Sequence, residues 1–161
     1  MKTEAAKTAA AIKAELKTIG ISAKVSSKNY SMGDHVNVSL TDIHPDEMII
    51  INNLLSKYQY GHFDGMIDLY EDSNRRDDIP QTKFLFINNE ISQEIKEAAY
   101  QIIRAGFGGY EDAPDTLAAA QGFYSQRWQG YAPQLVYRML HDSKFCDKNN
   151  LFKKILKEKA A

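Results

Sequence analysis

Two short stretches in which apolar and polar residues alternate place the strongest constraint on how this chain folds. The apolar members of the two runs are Ile21, Ala23 and Val25, then Val36, Val38 and Leu40. Strict alternation is typical of strands with one buried face. Because residues 29–34 between the runs are turn-like, we predict a β-hairpin. One of its long faces is polar, and the other needs a cover of helices.

Helices and further strands are predicted on both sides of this hairpin. A helix is expected over 3–19, where the sequence is rich in alanine, and a second one from Pro45 to about residue 57. Strands follow at 67–72 and 82–88, and Ser92 can cap a third helix. The sequence therefore predicts the α+β class, with a small antiparallel sheet, helices on one face, and the order α-β-β-α-β-β-α.

The last third of the chain carries helical signals only. Helices are expected at about 115–122, 131–142 and 148–159. Six large aromatic residues between Tyr110 and Tyr137 need a surface to pack on, and no flexible linker precedes them. We therefore expect residues 1–161 to form a single domain, in which 110–161 is a helical extension docked on the 1–109 module.

Composition and cysteine usage exclude several classes of protein. The chain is 43% hydrophobic and 25% charged, which supports a packed core and is unlike a disordered chain. No stretch approaches the roughly 18 consecutive apolar residues of a membrane span. Cys146 has no second cysteine with which to form an intrachain disulfide. We expect a soluble, cytoplasmic protein that makes no contact with membranes.

The net charge of −1 conceals an uneven distribution. Residues 1–28 hold six lysines against two glutamates, and 141–161 hold six lysines against three acids. The segment between them holds sixteen acids and eight bases. Basic ends can follow a phosphate backbone, although lysines on exposed helices more often serve solubility alone. Nucleic acid is therefore a candidate ligand, with weak binding to generic duplexes.

Motifs at 30–42 and 57–71 resemble a known domain family. The first contains Val-Asn-Val-Ser-Leu-Thr-Asp and the second Phe-Asp-Gly-Met-Ile-Asp, and a Phe-rich strand before Ile91 and Ser92 follows them. In order and spacing these elements resemble the large polyvalent protein-associated domain, number twenty-nine of that series, over about residues 5–105. Similar domains occur in proteins of phages and conjugative plasmids. The resemblance implies a mobile genetic element and a bacterial host, but supplies no catalytic residues.

The segment 58–66 holds the candidate site residues. Its glycines are spaced four apart among aromatic residues, so we predict a fixed turn in which Asp64 accepts backbone N–H bonds. The predicted structural residues are Gly61, Asp64 and Gly65. The candidate partner-binding residues are Tyr58, Tyr60, His62, Arg75 and Arg76.

No catalytic or metal-binding pattern accompanies these residues. His62 and Asp64 could form an acid-base or metal site, but HxH, HExxH and CxxC spacings are absent from the sequence. We therefore expect no enzyme, no catalytic residue, no metal and no cofactor.

Two functions follow from the resemblance and the charge pattern. The first is a non-enzymatic, mobile-element-encoded binding protein that counteracts a host defence, of the anti-CRISPR or antirestriction type. Its partner would be a host defence protein or ribonucleoprotein complex in the cytoplasm of the bacterial host, with homodimer formation left open. The alternative is a nucleic-acid-binding accessory module of a phage or plasmid.

Overall fold

The computed structural model describes residues 2–142, and within them the chain forms two compact units. The first comprises the chain up to Thr41 together with Met48–Glu90. The second comprises Asp42–Glu47 and the chain from Ile91 onward. Helices and small sheets occur together, which confirms the α+β class. None of the described helices is both long and apolar enough to cross a bilayer.

The first unit is built on a three-stranded sheet. Helix α1 (Glu4–Thr18) precedes strands β1 (Lys24–Tyr30) and β2 (Gly33–Thr41), which pair as the predicted antiparallel hairpin. Thr3 caps α1 by accepting a hydrogen bond from the Ala6 N–H at 3.3 Å. The helix lies against both strands. Its buried residues are Ala5, Thr8, Ile12 and Leu16.

The third strand of this sheet corrects one prediction. Strand β5 (Phe84–Glu90) pairs with β2 in parallel, so the strand order is β1-β2-β5 and the sheet is mixed, not wholly antiparallel. A parallel pair needs a long crossover connection. Here that connection contains helix α2 (Pro45–Leu55), which ends in a 3₁₀ turn at Ser56–Tyr58. The alternating pattern of 82–88 predicts a strand but not its direction.

A two-stranded hairpin lies within the same crossover. Strands β3 (His62–Asp64) and β4 (Leu69–Glu71) pair antiparallel, with Phe63 opposite Tyr70. The predicted strand at 67–72 is thus present, and the predicted fixed turn at 58–66 is partly strand.

The second unit contains two packed helices, α3 (Gln93–Gly106) and α4 (Ala132–His141). Between them the two-residue strands β6 (Tyr124–Ser125) and β7 (Gly130–Tyr131) form a small hairpin. The predicted boundary at residue 109 lies inside this unit, because α3 and the segment after it share one core. The larger core side chains include Ile95, Tyr100, Ile103, Tyr110, Met139 and Leu140.

Among the three predicted C-terminal helices, only 131–142 matches a described helix. Residues 115–122 form turns instead of a helix. The predicted helix at 148–159 lies outside the described residues. Of the six aromatic residues between Tyr110 and Tyr137, half pack into the second unit, namely Tyr110, Phe123 and Trp128. The docking of this segment on the first module stays a prediction.

Candidate functional site

The three-stranded sheet has one face covered by apolar packing and one polar, aromatic face. Side chains alternate along each strand, so those of Val36, Val38 and Leu40, all buried, point to one side of the sheet. The strand register places a second set together on the other side. This set, the open face, consists of Lys24, Ser26, Lys28 and Tyr30 on β1, His35, Asn37, Ser39 and Thr41 on β2, and Phe84, Phe86, Asn88 and Glu90 on β5.

Aromatic rings cross the open face from β1 to β5. The Tyr30 ring centroid lies 5.7 Å from that of His35, and His35 lies 5.8 Å from Phe86 in an edge-on arrangement. Phe86 and Phe84 stack with centroids 6.3 Å apart and planes 10° apart. Tyr30 is 42% exposed and Phe86 48% exposed, so rings in the middle and at one end are accessible to a ligand.

The β3–β4 region extends this row of rings. Tyr70 on β4 contacts Phe84 edge-on at 5.5 Å, and Tyr60 contacts Tyr70 at 5.8 Å. Six rings thus follow one another without a break. We call Tyr30, His35, Phe86, Phe84, Tyr70 and Tyr60 the aromatic row.

Cationic side chains accompany the aromatic row. The Arg75 guanidinium carbon lies 4.7 Å from the centroid of the Tyr60 ring. The Lys83 ammonium lies 4.9 Å from the Tyr70 centroid and 5.5 Å from that of Phe84. These distances are within cation–π range. Lys28 lies beside His35 in the register of β1 and β2, so positive charge is present at both ends of the row.

Partly buried hydrogen bonds fix the backbone beneath the row. The Asp34 carboxylate accepts from the Lys83 N–H at 2.7 Å and from the Thr82 hydroxyl at 3.0 Å. The Gln59 side chain accepts from the Leu85 N–H at 3.0 Å, and the Tyr70 hydroxyl donates to the Lys83 carbonyl. Because the rings are held in place before any ligand arrives, less conformational entropy is lost on binding.

Two of the three tyrosines of the row, Tyr60 and Tyr70, remain protonated at neutral pH. Burial, followed by the charges of Asp34 and Asp72, raises the pKa of Tyr60. Burial, followed by interactions with Tyr60 and Asp72, raises the pKa of Tyr70 to about 12. A neutral phenol ring does not repel phosphate groups, and it offers a flat surface for stacking.

Two of the five predicted partner-binding residues belong to this arrangement, and three do not. Tyr60 and Arg75 lie at the end of the aromatic row. Tyr58, by contrast, is only 5% exposed and donates a hydrogen bond to Glu15 at 2.7 Å. This position corrects the prediction of an exposed Tyr58, because the 3₁₀ turn directs its ring inward.

The other two predicted residues, His62 and Arg76, lie outside the row. His62 is exposed, with Nδ1 2.9 Å from the Ser73 hydroxyl. Arg76 makes a two-pronged ion pair with Asp78, at 2.9 Å from Nε and 2.6 Å from Nη2. That hydrogen-bonded pairing raises the pKa of Arg76 and lowers that of Asp78. The Arg76 charge is therefore largely neutralised by its neighbour.

The predicted turn residues have different roles. Asp64 accepts from the Met66 N–H at 2.8 Å, an Asx turn as expected, but this bond is exposed to solvent. Water can replace an exposed bond, so we expect its loss to cost less than the 1 to 3 kcal/mol typical of a buried unpaired donor, namely about 0.5 to 1.5 kcal/mol. Gly61 is closely packed against β4, whereas Gly65 has open space around it.

A second surface surrounds the tip of the β3–β4 hairpin. Four large apolar side chains are more than half exposed there: Phe63 at 57%, Met66 at 95%, Ile67 at 58% and Leu69 at 57%. We call these four residues the apolar hairpin. Phe63, Met66 and Ile67 lie in the Phe-Asp-Gly-Met-Ile-Asp motif on which the family resemblance depends, and Leu69 follows it directly.

Sequence reasoning missed most of the aromatic row. The signal was present, since Phe84 and Phe86 alternate on one strand and His35 lies in a strand with a polar face. Their proximity depends on the parallel β2–β5 pairing, which the pattern of a single strand does not specify.

The described residues contain no cluster of three or more histidine, cysteine or acidic side chains suited to a metal ion. Within this part of the chain, the fold and the open face define an α+β protein with an aromatic and cationic surface. No family model, no curated protein and no solved structure matches the chain. The resemblance to the polyvalent protein-associated domain stays a prediction from motif residues.

Proposed function

We propose that this protein binds single-stranded nucleic acid on the open face of its three-stranded sheet. The observation that carries the proposal is the unbroken row of six rings with Lys83 and Arg75 against it. This is the nucleic-acid-binding function that the sequence offers as an alternative. Tyr60 and Arg75 are contacts in both versions, and the open face takes the place of the lysine-rich ends.

The chemistry of the row favours single strands over duplexes. In a single strand the faces of unpaired bases are free to stack on aromatic side chains, and each stacked base contributes about 1 to 3 kcal/mol. In a duplex those faces are covered by neighbouring bases. Aromatic residues on a β-sheet are one of the recurrent solutions for recognising unstacked bases. Lysine and arginine beside the rings can contact the phosphates that connect them.

A titration with matched ligands tests this proposal. Fluorescence anisotropy compares a labelled mixed-sequence single strand of about twelve nucleotides with the duplex of the same sequence. We expect the single strand to bind more tightly, and the duplex no more tightly than the roughly 10⁻⁴ to 10⁻⁶ M of nonspecific binding.

The matched variants are Phe86→Ala, in the row, and Phe63→Ala, an exposed phenylalanine of the apolar hairpin in the same unit. Loss of one stacking ring should weaken single-strand binding about fivefold or more, and the Phe63 variant should bind as the wild type does. Equal effects of the two substitutions, or wild-type binding that prefers the duplex, would overturn the proposal.

The apolar hairpin favours a second candidate function. Exposed apolar patches on soluble domains commonly mark protein-binding surfaces, and this one coincides with the motif that resembles domains of mobile elements. We propose that it is the surface through which the protein engages a host defence protein or ribonucleoprotein complex, without catalysis. Both functions place the protein in the cytoplasm of a bacterial host.

A plating assay tests the second candidate. The protein is expressed in cells that carry a CRISPR or restriction system, and phage plating efficiency is measured. We expect the wild type and Phe86→Ala to raise plating, and the double variant Phe63→Ser and Met66→Ser to lose this effect. The candidate is rejected if plating is the same with and without the protein across the defence systems tested.

A further inference from the structure

We infer that Asn37 and Asn88 hydrogen-bond to the edges of bases bound on the open face and make this site selective for adenine. This inference rests on the proposed function and adds to it the class of base that the site prefers. The aromatic row supplies stacking that tolerates any base, so selectivity has to come from polar groups beside it.

The register of the sheet places both amides next to the centre of the row. Asn37 on β2 is paired with Phe86 across the parallel β2–β5 ladder. Asn88 follows Phe86 by two residues on β5, so its side chain leaves the same face of the sheet. A base stacked on the Phe86 ring would therefore have its edge close to one or both amides.

These amides are free to bind a ligand. Among residues 2–142, neither the Asn37 nor the Asn88 side chain makes a hydrogen bond, whereas the side chains of Gln59, Gln81 and Asn74 in the same unit hydrogen-bond to backbone groups. The engaged amides hold the fold together. The free ones lie where a ligand is expected, and Asn88 is exposed to solvent.

Hydrogen-bond chemistry points to adenine. An amide side chain presents one donor beside one acceptor. Adenine offers the complementary pair on its N6–N7 edge, where guanine offers two acceptors, N7 and O6. Its Watson–Crick edge also offers a donor, N6, beside an acceptor, N1, whereas the other bases offer such a pair on that edge alone. An amide can thus pair with adenine whichever edge the stacked base presents.

The test uses labelled single strands that contain only adenine, only cytosine, or only uracil, with thymine replacing uracil in DNA. Each strand is twelve nucleotides long and is made both as RNA and as DNA. We expect the wild type to bind the adenine strand at least about fivefold more tightly than the pyrimidine strands, which is the lower end for one good bidentate contact. The RNA and DNA series show which of the two sugars the site accepts.

The variants separate selectivity from binding. The double variant Asn37→Ala and Asn88→Ala should bind all strands with similar affinity and keep its affinity for pyrimidines. Asn29→Ala is the matched control, because Asn29 lies on β1 with its side chain on the opposite side of the sheet, and it should keep the preference for adenine.

The possible failures are distinguishable. A wild type that binds every strand equally, or an adenine preference that survives the double variant, overturns this inference and leaves the proposed function standing. A wild type that binds no single strand overturns both.

Discussion

A close backbone contact leaves no room for a side chain at Gly61. A Cβ atom there would collide with the Glu71 carbonyl oxygen and lie 2.6 Å from the Tyr70 ring. At Gly65 the nearest atom to such a Cβ is a carbon of Phe63 at 4.0 Å, and φ there is not positive. The two glycines of one loop therefore differ in what they permit.

A pair of substitutions tests this difference. Gly61→Ala should lower the free energy of unfolding by about 1 to 3 kcal/mol, because β4 has to move to accept the methyl group. Gly65→Ala should leave stability unchanged or raise it by up to about 1 kcal/mol, since alanine restricts the unfolded chain. Urea unfolding measures both, and equal effects would show that Gly61 does not lie close against β4.

A hydrogen-bonded group on α1 contributes a pH-dependent part of the stability. Burial raises the pKa of Glu15, but hydrogen bonds from Lys57 and Tyr58 and the charge of Lys57 lower it by more, so the pKa is below its ordinary value of 4.5. A carboxyl group with a lowered pKa stabilises the fold above its unfolded-state pKa, and this stabilisation is lost as the pH falls through the folded-state value.

We therefore expect Glu15→Gln to flatten the acid side of the stability profile. Its melting temperature should be lower than that of the wild type at pH 7, and it should fall less between pH 5 and pH 3. Glu90→Gln, an exposed position at the end of β5, is the control and should follow the wild-type profile. If the Glu15 and Glu90 variants give parallel profiles, the ion pair does not stabilise the fold.

At the scale of secondary structure, side chains of α3 explain why 115–122 is not a helix. The Glu97 carboxylate accepts from the Leu117 N–H at 3.0 Å, and the Gln101 side chain donates to the Asp115 carbonyl at 2.6 Å. The Tyr100 hydroxyl donates to the Pro114 carbonyl, also at 2.6 Å. The backbone groups of this segment are thus satisfied by a neighbouring element, so its alanine-rich sequence does not need to form a helix.

Removing one of these bonds should destabilise the second unit. Tyr100→Phe keeps the buried ring and leaves the Pro114 carbonyl without its partner, so we expect a loss of about 1 to 3 kcal/mol. Tyr137→Phe is the control, because Tyr137 is 63% exposed and should change stability by less than about 0.5 kcal/mol. Thermal unfolding followed by tryptophan fluorescence measures the change near Trp128, and a Tyr100 variant as stable as the Tyr137 variant would contradict the assignment.

The elements that the sequence predicts well are those whose signals are local. Thr3 and Ser92 cap α1 and α3 as expected, and the alternation of Val36, Val38 and Leu40 gives the buried face of β2. The parallel partner of β2 and the turns at 115–122 depend on contacts between residues far apart in the chain. The candidate site is predicted only in part for the same reason. The local sequence identifies Tyr60 and Arg75 as candidates, whereas Phe86 joins the site only because β5 pairs with β2.

At the scale of the whole molecule, the proposed site has few cationic side chains that are not paired with an acid, although both ends of the sequence are rich in lysine. Arg75 forms an ion pair with Asp72 at 2.7 Å, so its charge is partly compensated. Three lysines remain near the row, namely Lys24, Lys28 and Lys83. Stacking should therefore contribute more to affinity than phosphate contacts do.

This charge pattern predicts a shallow salt dependence. Each phosphate contact to a single strand contributes about −0.7 to the slope of log K against log salt concentration, so three contacts give a slope of about −2. Anisotropy titrations between 50 and 300 mM salt measure it. A slope steeper than about −4 would show that the lysine-rich ends, and not the open face, dominate binding.

Mapping a bound single strand onto the sheet tests the proposed function most directly. The measurement is the change in amide chemical shifts of the ¹⁵N-labelled full chain as an unlabelled adenine-rich single strand is added. We expect the largest changes at Tyr30, His35, Asn37, Phe84 and Phe86, with smaller ones at Tyr60 and Tyr70. Changes confined to the apolar hairpin or to the second unit, or none at saturating strand, would contradict a nucleic-acid site on the open face.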